Sequence, residues 1–315
     1  MPSVSLPAAL HSGAAYVKRA VQGFAIGTAG LIPGVSGGTL ALLLGIYEEL
    51  VEAIRAGSDI QTLKAFVQRR WREFFALFPW RLLVPVALGA LTAAISMSYF
   101  MEWLLLTYPV HVGAFFFGLV AASIVVVARK IQRWDLRAGV GLVVGAAAAW
   151  LLMDITPAET PNTLWMLFLS GAVAKCAMVL PGISGAFVLV VFGQYQYSLA
   201  AVTQRDILGV LAIILGAVAG LVTFAQLLSW LFRRHRDLTL AVLAGLILSS
   251  LRRIWPWQET TLSAAGAVLR QTNVLPAAWT AEVALALILA LGGFLLVVML
   301  GSLARSEAQP PQRAQ

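Results

Sequence analysis

The sequence predicts an all-α polytopic membrane protein built as an inverted repeat, each half one re-entrant helical hairpin plus three transmembrane helices. Three observations predict it: an apolar composition, a motif that recurs later in the chain, and the placement of the basic residues. The chain has 315 residues, of which 60% are hydrophobic and only 11% charged. Its mean hydropathy is +0.86. A soluble domain carries roughly 25% charged residues. Several apolar runs approach the roughly 20 residues that span a bilayer as a helix, the conformation that satisfies its own backbone in lipid. No series of alternating ten-residue strands points to a β-barrel.

The second observation is self-similarity. The stretch "GFAIGTAGLIPGVSGGTLALLLGIY" (23–47) aligns without a gap on "GAVAKCAMVLPGISGAFVLVVFGQY" (171–195) at an offset of 171 − 23 = 148. Gly23, Pro33, Gly34, Ser36, Gly37, Gly45 and Tyr47 fall on Gly171, Pro181, Gly182, Ser184, Gly185, Gly193 and Tyr195. A weaker match sets "FGLVAAS" (117–123) on "AGLILSS" (244–250) at an offset of 245 − 118 = 127, and Gly89 and Gly216 share it. The difference, 148 − 127 = 21, is close to the length of "IRAGSDIQTLKAFVQRRWREFF" (54–75). The first half thus contains an amphipathic insertion that the second lacks.

The elements follow in order. Residues 1–160 form the first repeat, with a hairpin over 16–50, the insertion over 51–80 and three spanning helices. Residues 161–305 form the second, with a hairpin over 165–200 and three more. The spanning runs lie near 82–105, 112–128, 138–153, 207–232, 238–254 and 281–301. Residues 306–315 read as a disordered tail, being polar and Pro-containing. Plain spanning helices at the two motifs would make eight; hairpins leave six.

Loop charges select hairpins. Lys18 and Arg19 precede the first motif; Arg55, Lys64, Arg69, Arg70, Arg72 and Arg81 follow it. Both flanks are therefore cytoplasmic by the positive-inside bias. "TYPVH" (107–111) and the acidic "DITPAET" (154–160) go outside, whereas "ARKIQRWDLR" (128–137), "RRHR" (233–236) and Arg305 go inside. Three spans per half is an odd number, so the second half is inverted and its hairpin enters from outside. The two Pro-Gly turns should meet near the midplane, an arrangement found in transporters.

Irregular backbone at membrane depth is tolerated where it lines protein or a wet cavity. Helices restarting near Thr39 and Phe187 would point free N–H groups at the turns, which suits an anion. Ser36, Gly37, Gly38, Thr39, Ser184 and Gly185 are the candidate binding residues there. The plainer alternative is that Pro and Gly merely kink two buried helices. Cations near membrane depth are further candidates. Lys175 lies six residues before Pro181, about 9 Å along a helix, or else snorkels to an interface. Arg252 and Arg253 end a helix on the outside, against the positive-inside bias, or are ordinary helix-end charges. Glu48, Glu49 and Glu102 read as interfacial. Trp71, Trp80, Trp103, Trp165, Trp230, Trp255 and Trp257 read as interface anchors.

The net charge of +8 sits in short loops, and no nucleic-acid-binding motif accompanies it. Cys176 is the only cysteine, and His11, His111 and His235 are far apart, so no disulfide, metal site or cofactor is expected. The first fifteen residues lack the pattern of a cleaved signal peptide.

At "PGVSGGTLALLLGIYEEL" and "LPGISGAF" the sequence resembles a bacterial family formerly known only as a domain of unknown function and now regarded as polyprenyl-phosphate transporters. The order of segments extends the resemblance over nearly the whole chain. It implies a multi-pass protein of the bacterial inner (cytoplasmic) membrane that returns undecaprenyl phosphate, the lipid carrier of wall precursors, for reuse. The implied partners are that lipid and the surrounding membrane lipids, with homo-oligomers left open. Undecaprenyl-pyrophosphate phosphatases also use inverted re-entrant segments with a Pro-Gly-X-Ser motif, but theirs continues with an arginine that can hold a phosphoryl group. Gly37 and Gly185 stand at those positions here, so a non-enzyme is expected. A small-anion secondary transporter is the remaining alternative.

Overall fold

The computed structural model describes residues 13–32, 35–155, 160–262 and 268–308. Pro33 and Gly34, the expected apex of the first turn, lie outside the described residues, as do His11, residues 156–159 and residues 309–315. Before the first long helix come α1 (Gly13–Gly30), α2 (Gly37–Leu43), α3 (Tyr47–Gly57), α4 (Ile60–Val67) and α5 (Trp71–Leu77). The long helices α6 (Trp80–Thr107), α7 (Pro109–Ala128) and α8 (Leu136–Met153) complete the first half. The second half repeats the order: α9 (Leu164–Val179), α10 (Gly185–Val191), α11 (Tyr195–Thr203), α12 (Ile207–Arg234), α13 (Arg236–Ser250) and α14 (Ala281–Ala308).

Five helices among the described residues are long and apolar enough to cross a membrane: α6, α7, α8, α12 and α14. The expected sixth span, 238–254, is shorter than its hydropathy suggested. α13 stops at Ser250 after 15 residues and turns through 251–254. Pro256 biases the residue before it away from helix. α14, by contrast, continues to Ala308, past the expected start of the tail at 306.

One departure from all-α is a two-stranded antiparallel hairpin, β1 (Gln258–Leu262) and β2 (Val268–Asn273), with Gln258 opposite Asn273. The strands hold Thr260, Thr261, Thr272 and Val268, β-branched residues that favour strands. The indole N–H of Trp255 donates to the carbonyl of Val274 at 2.8 Å and ties the hairpin's base.

The packing repeats residue by residue. A Cβ added at Gly23 would lie 2.1 Å from the carbonyl oxygen of Val86, and one at Gly171 would lie 2.4 Å from that of Ile213. Gly89 meets the carbonyl of Ala20, and Gly216 that of Phe168, in the same way. These partners are related by the two offsets found in the sequence. α1 therefore packs on α6 as α9 packs on α12. The remaining helices pair across the halves, α7 with α14 and α8 with α13. Gly118 against Ala290 and Gly245 against Leu142 mark those crossings.

These contacts also fix directions. Gly23 meets Val86 and Gly27 meets Ala90, so α1 and α6 run parallel. Two parallel neighbours need a returning segment between them, and α2 and α3 supply it. The same holds for α9 and α12, where Gly216 meets Phe168 and Gly220 meets Ala172. Each return bends at a corresponding glycine. Gly45 has φ +75° and Gly193 has φ +65°. Ile46 N–H donates to Ala41 at 3.0 Å and Gln194 N–H to Leu189 at 2.8 Å, closing two Schellman caps.

One end of the molecule gathers the basic connections. Arg19 pairs with Glu49 at 2.7 Å and Arg236 with Glu48 at 2.8 Å. The Ser229 hydroxyl donates to Glu52. Asp237 accepts the backbone N–H groups of Gln132 and Arg133, and the Lys130 ammonium donates to the carbonyl of Leu42 at 3.0 Å. Glu48 and Glu49 are thus ion-paired at this end. The opposite end holds the 107–113 segment, Asp154, the 251–258 turn and the β-hairpin.

Candidate functional site

The two motif turns touch. The Ser36 hydroxyl donates to the carbonyl of Leu180 at 3.2 Å, and the Tyr47 hydroxyl donates to that of Val179 at 3.0 Å. The last carbonyls of a helix have no partner within it. Here the first half's side chains satisfy the end of α9. Gly38 permits the approach, since a Cβ there would lie 2.7 Å from the Val179 oxygen.

The short helices begin two residues earlier than expected, at Gly37 and Gly185 rather than near Thr39 and Phe187. Each has seven residues, about 10 Å of rise. Ser36 caps α2, its oxygen accepting Gly38 N–H at 3.2 Å. Ser184 occupies the same place before α10 but makes no side-chain cap. Ser36 is therefore committed to structure, and Ser184 is not. Thr39 is 1% exposed, sealed in the core.

Gly37 and Gly185 have a packing role. A Cβ at Gly37 would lie 3.0 Å from the Ile26 side chain, and one at Gly185 would lie 2.8 Å from the Ala174 carbonyl. Each glycine lets the two arms of its own hairpin close together.

The cations separate into three environments. Among the described residues, Lys175 reaches only the Met178 sulfur, at 3.6 Å, and no ion pair holds it. Arg252 is anchored: it pairs with Asp154 at 2.9 Å and stacks 4.3 Å over Trp150. Arg253 lies 4.6 Å over the ring of Phe187, and no carboxylate among the described residues pairs with it. It lines two cavities. A small one, about 20 Å³, adjoins Gly182, Ser184 and Phe187 of the second turn. The other, about 630 Å³, includes Ile32 of the first turn and opens among Leu105, Pro109, Trp255 and Trp257. Arg253 thus stands between the two motif turns, and of the expected cations it alone borders either cavity.

Sequence reasoning passed over Tyr47, Phe187 and Trp150. Tyr47 had a signal, its coincidence with Tyr195 in the repeat. Phe187 and Trp150 are apolar residues in apolar runs, and only the fold sets them against arginines.

Fold and turns together define a helical membrane protein with two like motif segments in contact. The chain belongs to the undecaprenyl phosphate translocase-like family, whose profile matches residues 26–271. It is 39% identical over 247 residues to a polyprenyl-phosphate transporter of Vibrio cholerae serotype O1, covering 78% of this chain and 79% of that one. A polyprenyl-phosphate transporter of Staphylococcus aureus is 30% identical over 265 residues, covering 77% of this chain and 87% of the relative. No solved structure matches.

Proposed function

We propose that the protein carries a polyprenyl phosphate, in the recycling role undecaprenyl phosphate requires, across the bacterial cytoplasmic membrane without hydrolysing it. The observation that carries this reading is Arg253, an arginine without a carboxylate partner among the described residues, placed between the two motif turns at the wall of a 630 Å³ cavity. A phosphate is costly to bring into hydrocarbon unless a charge or hydrogen bonds compensate it. The guanidinium offers a planar fork of donors suited to phosphate. Ser184, which makes no side-chain cap, lines the same small cavity as Arg253. The 20 Å³ space at Ser184 suffices for about one water. The headgroup therefore enters from the larger cavity, while the prenyl tail stays in lipid.

In this reading α1–α3 and α9–α11 are re-entrant hairpins and the two halves are inverted. The parallel pairs α1/α6 and α9/α12, with short returning helices between them, support it. So does the exchange of α7 and α8 for α14 and α13 across the halves. The basic connections, gathered at one end, make that end cytoplasmic. The cavity beside Arg253 then opens to the outside.

The family names of the relatives favour transport over chemistry. The packing of Gly37 and Gly185 against their own arms adds to this, since the rival phosphatase motif needs arginine there. The test is reconstitution: movement of a polyprenyl phosphate between leaflets, with release of inorganic phosphate followed in parallel. Release at enzymatic rates would reject the reading.

A further inference from the structure

The insertion α4–α5 has no counterpart in the second half, where three residues, 204–206, join α11 to α12. Its inner face is small and sealed: Thr62 and Ala65 are buried. Its outer face is apolar and open. Ile60, Leu63, Phe66 and Val67 recur at helical spacing and are exposed, Val67 to 77%. Trp71 and Phe75 extend this face along α5, and Trp80 continues it into α6. Trp71 packs edge to face with Phe66 and Phe74, which tilt against each other, with centroids 5.3–6.4 Å apart, so the face is a fixed surface.

The charge around this face is one-sided. Residues 60–81 contain Lys64, Arg69, Arg70, Arg72 and Arg81 against the single acid Glu73, which pairs with Arg70 at 2.8 Å. Lys64, Arg69 and Arg72 are exposed. A soluble surface would not leave so many large apolar side chains in water. An apolar face bearing Trp and Phe and bordered by Lys and Arg is what lies in the headgroup layer of a bilayer. The same combination attracts anionic lipid.

We propose that α4–α5 is an anionic-lipid-binding surface that lies flat on the bilayer crossed by α6. Its occupant is the phospholipid headgroup layer, with the apolar side chains below the headgroups and Lys64, Arg69, Arg70 and Arg72 among them. The continuity through Trp80 into a 28-residue apolar helix fixes the depth of the surface. The inference does not depend on the transported substrate.

The test uses the full chain with Cys176→Ser and Val67→Cys, labelled with an environment-sensitive fluorophore. The protein is reconstituted in vesicles of phosphatidylcholine alone or mixed with phosphatidylglycerol. The expected result is blue-shifted emission quenched by brominated lipid, with quenching rising several-fold when phosphatidylglycerol is present. In the Lys64→Gln, Arg69→Gln, Arg70→Gln, Arg72→Gln variant the rise should disappear. A second label at Thr203→Cys, outside the insertion, should not respond to lipid charge. Emission typical of water in both compositions overturns the proposal. So does quenching that appears only on self-association, which assigns the face to a second copy. A rise that survives neutralisation overturns the role given to the basic residues.

Discussion

The hydroxyl of Ser36 reaches the main-chain carbonyl of Leu180 across 3.2 Å, and so binds the motif of one half to that of the other. The bond is one-sided. Ser184, the matching residue, makes no cap and faces a cavity beside Arg253. Two like turns differ in their contacts: one holds the halves together, the other leaves its serine uncapped beside a cavity.

This asymmetry orders the serine and tyrosine variants. Ser36→Ala loses a cap and a bond to Leu180, together about 1–3 kcal/mol. Tyr47→Phe leaves the Val179 carbonyl without its partner, about 1–2 kcal/mol. Ser184→Ala should leave stability near wild type. Thermal unfolding of the three purified variants in detergent checks the order. Equal stability of Ser36→Ala and Ser184→Ala would contradict it.

The three cations should separate in the same way. Arg253→Gln is expected to weaken binding of a lipid phosphate at least about thirtyfold, the effect of losing roughly 2 kcal/mol or more from a cation paired with an anion. Its thermal stability should fall by no more than about 1 kcal/mol, the loss of its contact with Phe187. Arg252→Gln should mainly lower stability, by up to about 1 kcal/mol, because its Asp154 pair is half exposed and its other contact is Trp150. Lys175→Met should do little to either. Binding isotherms with melting curves for the three variants decide it.

Much of the fold was legible because it repeats. Gly23 with Val86 and Gly171 with Ile213 are one contact made twice, and the offset in the sequence announces both. Basic loops announced the common end where Arg236 meets Glu48. The β-hairpin was hidden inside a search for apolar runs, which polar strands outside such runs do not enter. At the site, spacing along the chain could bring Ser36, Gly37, Ser184 and Gly185 into view. It could not tell Arg252 from Arg253. Neighbours in sequence project to different sides of a turn, one onto Trp150 and Asp154, the other onto Phe187. Nor could it tell that the glycines are spent on packing, because that needs Ile26 and Ala174 in place.

The glycines make a graded expectation. Gly38→Ala should destabilise by about 1–3 kcal/mol, because its Cβ would meet a backbone oxygen that cannot give way. Gly45→Ala is expected to cost about 1 kcal/mol through φ +75° alone, as nothing lies within 4 Å of its Cβ. Gly30→Ala, in open space at ordinary φ, should cost nothing. Melting temperatures out of this order would contradict the packing account.

Inversion of the halves has a simple readout. Cysteines at Ser58 and Thr203, each in a protein lacking Cys176, should be labelled from opposite faces of the membrane. Ser58 follows α3 at the end with the basic connections, and Thr203 closes α11 before α12. Labelling of both from one face would remove the inverted reading while leaving the contacts between the turns intact.

The central claim is that Arg253 and the second turn guide a lipid phosphate across the membrane intact. Its most direct measurement is the movement of a polyprenyl phosphate between the leaflets of vesicles holding wild type or Arg253→Gln, with inorganic phosphate followed in the same samples. The account expects transfer above empty vesicles for wild type, slowing of at least about tenfold for Arg253→Gln, and no phosphate release. Phosphate release by wild type, or transfer by Arg253→Gln at the wild-type rate, would contradict it.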